Sequence, residues 1–257
     1  LLIFGEHLDT TASQALSSGI MMVMIAVGVG TGVGVNALLS RGLGAKDETL
    51  VRQTAATGVV LAFASAAVFL LLGLFCAGPF VRSFTQDEQI ALYAAQYLSV
   101  CMIFSVGSLV ATMFQRFLQA SGDTFNSMLS LIAGALTNIV LDPLFIFGIG
   151  IFPALEVRGA AIATVIGQWI SALAAIWLNR KKNPAVPVTL RGYRFRKEVA
   201  AEIYRVGLPT ILTQAAGSAM VAAMNAILMP FSSAAVAFFG AYYKLQSFLF
   251  MPMNGLG

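Results

Sequence analysis

Seven apolar stretches divide this chain, at about residues 17–40, 54–81, 91–119, 125–150, 158–179, 204–230 and 235–257, with short polar segments between them. A helix rises about 1.5 Å per residue, so about 20 apolar residues cross a hydrocarbon layer of roughly 30 Å. Inside that layer every backbone amide must be satisfied within its own helix or in a closed barrel. These runs are too long and too continuously apolar for the alternating strands of a barrel. They are expected to be membrane-spanning helices, I to VII, and the fold class is all-α: a polytopic helical bundle integral to the membrane. Composition agrees, with 58% hydrophobic and 10% charged residues and a mean hydropathy of +0.85, where a water-soluble domain carries roughly a quarter charged residues.

Orientation follows from the basic residues, which concentrate in cytoplasmic loops. The loops after I, III and V hold Arg41, Lys46, Arg52, Arg116, Arg180, Lys181, Lys182, Arg191, Arg194, Arg196, Lys197 and Arg205, and the opposite side holds Arg82 and Arg158. Twelve against two places the I–II, III–IV and V–VI loops in the cytoplasm of a multi-pass protein of the cell membrane. The formal charge of +4 is then topology, and no nucleic-acid partner is expected. The longest polar stretch, "NRKKNPAVPVTLRGYRFRKE" (179–198), reads as a linker. It is expected to set topology as a solvated loop, with binding of anionic lipid as the alternative. Residues 1–180 are read as an N-terminal transmembrane bundle, 181–203 as the cytoplasmic linker and 204–257 as the start of a second bundle. The chain begins "LLIFGEHLD" without Met and stops inside run VII, so it is expected to be a piece of a longer protein, with no cleaved signal peptide in view.

Within this apolar frame, "LTNIVLDPLFIFGIGIF" (136–152) carries the one acid well inside a run, Asp142. An aspartate at the bilayer centre costs about 2.5–3.5 kcal/mol, so such a residue usually faces a protein interior or a wet cavity. Asn138 lies one helical turn earlier on the same face. Pro143 has no amide hydrogen, so it should kink helix IV and leave the carbonyl of Ile139 free. A carboxylate, an amide oxygen and a loose carbonyl are the beginnings of a proton site or a hard-cation site, here for Na+ at Asp142 and Asn138. On helix V, Thr164 and Gln168 share a face, and Gly159, Ala160, Ala161 and Ala163 permit close approach of a neighbour. Gln115 and Arg116 are expected at the membrane interface, and Gln214, Asn225 and Lys244 as helix glue or cavity lining.

Covalent catalysis has no support. His7 is the sole histidine, Cys76 and Cys101 are isolated, and "GVGTGVG" (28–34) lies in a long apolar helix rather than in the strand-turn-helix setting of a dinucleotide loop. No cofactor and no enzyme activity are expected.

Together, "LSRGLGAKDE", "QASGDTF", "NIVLDPLFIFG", "RGAAIATVIGQ", "VGLPTILTQ" and "LFMPMNGLG" resemble, in order and over nearly the whole chain, the multidrug and toxic compound extrusion (MATE) transporters. The resemblance implies twelve helices in two six-helix lobes, of which helices I to VII would be the second to the eighth, the first helix being mostly missing. It also implies that Asn138 and Asp142 match an asparagine–aspartate pair that titrates in one branch of the family, with Thr164 as the matching threonine. Another branch carries a sodium-binding glutamate eight residues after the proline of "LP", where this chain has Gly217, so the coupling site is expected in the N-terminal bundle.

The expected function is secondary active efflux, antiporting small organic cations or drugs against H+ or Na+, by a monomer whose other partner is membrane lipid. A flippase for lipid-linked oligosaccharide or polysaccharide is the alternative, disfavoured because the runs offer only Lys244 to hold a pyrophosphate. Cysteines placed at Lys182 and Gly192 should react with an impermeant thiol reagent only from the cytoplasmic side, and one at Gln86 only from outside. Labelling of all three from one side would refute this helix count.

Overall fold

The computed structural model describes residues 8–82, 88–148, 156–189, 193–228 and 242. Among them all regular structure is helical: α1 (Leu8–Gly44), α2 (Glu48–Phe75), α3 (Ala77–Arg82), α4 (Glu88–Ile103), α5 (Val106–Ala120), α6 (Thr124–Phe147), α7 (Glu156–Lys182) and α8 (Lys197–Leu228). The chain groups into two compact units, Leu1–Leu212 and Thr213–Gly257. The first contains α1 to α7 and the opening half of α8.

Runs I, II, IV and V appear as single helices able to cross a membrane, Met21–Gly44, Glu48–Phe75, Thr124–Ile146 and Gly159–Lys182. Run III differs from the single straight helix expected, because it is broken into Ala95–Ile103 and Val106–Ala120, bent by 49°. No proline causes this. Phe104 and Ser105 form a turn in which the Ser105 amide bonds the Met102 carbonyl at 3.2 Å, three residues back rather than four, and hydropathy cannot register such a tightening. Run VI falls on α8, which is helical from Lys197 onward, inside the segment read as linker. Val199, Ala200 and Ile203 of this first stretch are buried, as an amphipathic turn outside any apolar run. Run VII lies outside the described residues.

The α1–α2 and α5–α6 joints share one design. At the end of α1 the Lys46 and Asp47 amides bond Leu43 and Gly42, and at the end of α5 the Gly122 and Asp123 amides bond Gln119 and Leu118, in the same offsets. In each, a residue with positive φ, Lys46 at +55° or Gly122 at +84°, turns the chain into an aspartate that caps the next helix. Asp47 accepts from the Leu50 amide at 3.0 Å and Asp123 from the Asn126 amide at 3.2 Å. "GAKDE" and "SGDTF" are thus one joint written twice.

Helix α1 contacts α2, α4 and α5, while α7 packs along α6, α5 and α4. The expected loop sides are consistent with one another. Arg41 at the end of α1 pairs with Glu202 on α8 at 3.4 Å, and Asn183 after α7 donates to the Phe117 carbonyl on α5 at 3.1 Å. The I–II, III–IV and V–VI connections therefore meet at one end of the bundle.

"GVGTGVG" is where backbones come closest. Side chains of α5 fill the spaces over Gly28 and Gly32, through Leu109 and Arg116, while Gly30 and Gly34 abut Gly207 and Ile203 of α8. The alternating glycines give α1 two flat faces, one for each neighbour. The α6–α7 contact works likewise: a Cβ on Gly134 would lie 2.8 Å from the Gly167 carbonyl oxygen and 2.8 Å from Ser171 Cβ. Gly134→Ala should therefore destabilise the protein by about 1–3 kcal/mol through overpacking, whereas Gly78→Ala, whose Cβ meets nothing within 4 Å, should leave the thermal midpoint in detergent within a degree or so of the parent. Equal midpoints for the two variants would contradict the close packing.

Candidate functional site

Helix α6 is fixed at both ends, by the Asp123 cap and by Gly148, whose φ of +66° closes the last turn. Pro143 lies inside the helix without ending it, and having no amide hydrogen it cannot donate to the Ile139 carbonyl. Alongside runs α7, held close by the Gly134–Gly167 contact and by Gly159, which abuts the Phe145 carbonyl. Ala160, Ala161 and Ala163 are buried, as their size suggested.

This close approach brings three of the expected residues into one linked group. With the Asn138 amide oriented to satisfy both neighbours, its Nδ2 donates to Asp142 Oδ2 at 2.9 Å and its oxygen accepts from the Thr164 backbone amide at 3.2 Å. That same end of the amide is 3.4 Å from Thr164 Oγ1. Asn138 thus bridges a carboxylate on its own helix to the neighbouring one. The geometry differs from the amide-oxygen ligand expected from the sequence, because the oxygen is engaged by Thr164 and Asp142 receives the NH2 group.

Asp142 keeps its second oxygen, Oδ1, buried without a partner among the described residues. Gln168, one turn beyond Thr164, has a buried Oε1 in the same condition, as have Thr31 Oγ1 and Asn36 Oδ1 on α1. Buried acceptors of this kind are costly and scarce in folded proteins. Gln168 is not brought into hydrogen-bond contact with Asp142 or Asn138.

The sequence reading missed Tyr97. On α4 it lies beside the side chains of Thr164 and Cys101 and near Asp142. Its signal was a polar-tipped aromatic one turn before Cys101 in an apolar run, a pattern shared with many interfacial tyrosines. Gln115 and Arg116, expected at the interface, are partly buried. Gln115 donates to Ser171 Oγ on α7 at 3.2 Å and Arg116 to Gln119 Oε1 at 2.9 Å, because α5 is enclosed by α1, α2, α6 and α7 at this end. Gln214 belongs to the second unit, and the Asn225 side chain and Lys244 lie outside what the structure describes. Among the described residues no group of three or more His, Cys, Asp or Glu could hold a metal ion.

Chemically, the arrangement can hold one negative charge in an apolar interior, steady it with a single amide donor, and offer one free oxygen to a proton or a cation. Residues 7–144 match the MatE family model. The chain is 26% identical over 216 residues to a probable multidrug resistance protein NorM of Bacillus thuringiensis subsp. konkukian (strain 97-27), covering 83% of this chain and 48% of that protein. It is 27% identical over 223 residues to the multidrug export protein MepA of Staphylococcus aureus (strain bovine RF122 / ET3-1), covering 85% and 48%. A crystal structure of MATE in complex with MaL6 matches with a TM-score of 0.90 at 27% identity, over 97% of this chain and 55% of that chain. The chain spans about half the length of the curated relatives it matches.

Proposed function

We propose that this chain, which belongs to the MatE family and is a multi-pass protein of the cell membrane, is part of a secondary active transporter that exchanges organic cations for protons. The observation that carries the reading is Asp142: a carboxylate inside an apolar helix, tied through Asn138 to α7, with one buried oxygen left over. A charge at that depth is tolerated in natural helices chiefly where it works.

Antiport follows from competition. The free oxygen of Asp142 is satisfied either by a proton or by attraction to a cationic substrate, so loading one weakens the hold on the other. Because the carboxylate is bonded to Asn138, and Asn138 to Thr164, a change of charge at Asp142 alters the polar link between α6 and α7. A ligand shifts a conformational equilibrium only by its differential affinity for the two states, and this link gives the proton such a difference. Two bundles rocking about a central site would complete alternating access.

Proton is favoured over Na+ by the donor set. A hard cation gathers several oxygens, whereas Asn138 turns its NH2 toward Asp142 and spends its oxygen on Thr164. The molecular class of the substrate rests on charge alone: a carboxylate in an apolar setting suits a flat or bulky organic cation.

The test is efflux from vesicles bearing the full-length protein, driven by an imposed proton gradient. Asp142→Asn should stay inserted, since a neutral amide costs less in lipid than a carboxylate, yet its driven efflux should fall to that of empty vesicles. Asn138→Ala should reduce coupling less severely, and Asp123→Asn, which keeps a capping side chain, should transport like the parent. A sodium gradient at equal pH should drive nothing. Parental efflux by Asp142→Asn at matched abundance would place the coupling site elsewhere.

A further inference from the structure

At the cytoplasmic end of the first unit, the linker folds back over the start of α2 and borders an open hollow of about 340 Å³. It is lined by Thr49, Arg52 and Gln53 from the first turns of α2 and by Tyr193, Arg194 and Arg196 from the linker. The Tyr193 hydroxyl is 2.8 Å from Thr57 Oγ1, which pins the linker to α2 and holds the two arginines that flank Phe195 beside the third. Among the described residues none of these three guanidiniums is in an ion pair. The neighbouring acids, Asp47 and Glu48, open on an adjoining hollow that Arg52 also borders, and Asp47 is occupied in capping α2.

We propose that this hollow binds a phosphate group, supplied by the headgroup of an anionic phospholipid in the cytoplasmic leaflet. The donor chemistry fits phosphate: guanidiniums bind its oxygens in pairs, the hydroxyls of Thr49 and Tyr193 add neutral donors, and the start of α2 presents the positive end of a helix dipole. Depth selects the lipid. Helix α2 has 28 residues, about 42 Å at 1.5 Å each, against a hydrocarbon layer of about 30 Å, so its first turns stand in the headgroup layer. Phe195, 51% exposed between the two arginines, offers an apolar ring that can enter the acyl boundary beside the headgroup. A bound headgroup would fasten the linker to α2 from the membrane side.

The experiment uses the full-length protein in phosphatidylcholine nanodiscs with and without phosphatidylglycerol, with retained lipid counted by native mass spectrometry. The triple variant Arg52→Gln/Arg194→Gln/Arg196→Gln should retain phosphatidylglycerol on the order of a hundredfold more weakly than the parent. A control that removes three equally basic cytoplasmic residues outside the hollow, Arg180→Gln/Lys181→Gln/Lys182→Gln, should retain it as the parent does. In discs of phosphatidylcholine alone, millimolar inorganic phosphate should leave the thermal midpoint unmoved. A midpoint raised by phosphate in the parent but not in the triple variant, with no selective retention of phosphatidylglycerol, would overturn the lipid as the source. Equal retention by parent and triple variant, or equal loss in the control, would overturn the site itself.

Discussion

In hydrocarbon, helices gain nothing by hiding apolar side chains from one another, so a bundle has to be held by close backbone approach and by polar bonds across helices. Both are visible here at defined places. Gly30 and Gly34 of α1 meet Gly207 and Ile203 of α8, and Gly134 of α6 meets Gly167 of α7. At these crossings the backbones are near enough that an added methyl group has nowhere to go. The outer surface shows the other half of the same constraint: Leu136, Ile139 and Val140 on α6 are well exposed, as suits side chains whose solvent is lipid.

The candidate site depends on that packing. Asn138 reaches Thr164 because the glycine contact one turn away removes the side chains that would hold α6 and α7 apart, and an added Cβ on Gly167 would itself lie 3.4 Å from Asn138 Cβ. Tyr97 closes the group from α4. The candidate site is therefore spread over three helices, with Asn138 forming its polar link between α6 and α7. The proposed phosphate hollow, at the start of α2, rests on different residues and a different force, the attraction of three arginines for an anion.

Much of this was legible in the sequence because lipid writes its demands plainly. Uninterrupted apolar runs pointed to the helices, basic residues to the common end of three loops, and an aspartate in an apolar run to the candidate site. The i, i+4 spacing of Asn138 and Asp142 was enough to put them on one face, and small residues after Gly159 were enough to foresee close packing. What stayed hidden was decided by neighbours. Nothing in "VCMIFSVGS" announces a 49° bend, since the break comes with two tightened hydrogen bonds, Ser105 to Met102 and Gly107 to Phe104. The first turn of α8 lay outside any apolar run. The direction of the Asn138 amide could not be read from residue type, because an amide offers a donor and an acceptor alike and only the Thr164 backbone amide decides between them. Glycines 28 to 34, set aside as a dinucleotide loop because they lie in a long apolar helix, are two packing faces.

If Asp142 takes up the coupling proton in competition with a cationic substrate, carbodiimide modification will register both events. A lipid-soluble carbodiimide reacts with protonated carboxyl groups in the membrane interior, and the modified residue can be located by mass spectrometry of the full-length protein in vesicles. Asp142 should be modified, modification should grow as pH falls, and an organic cation carried by the protein should protect it. Modification of other acids with Asp142 untouched, or labelling of Asp142 that neither pH nor the cation alters, would contradict a coupling role for this carboxylate.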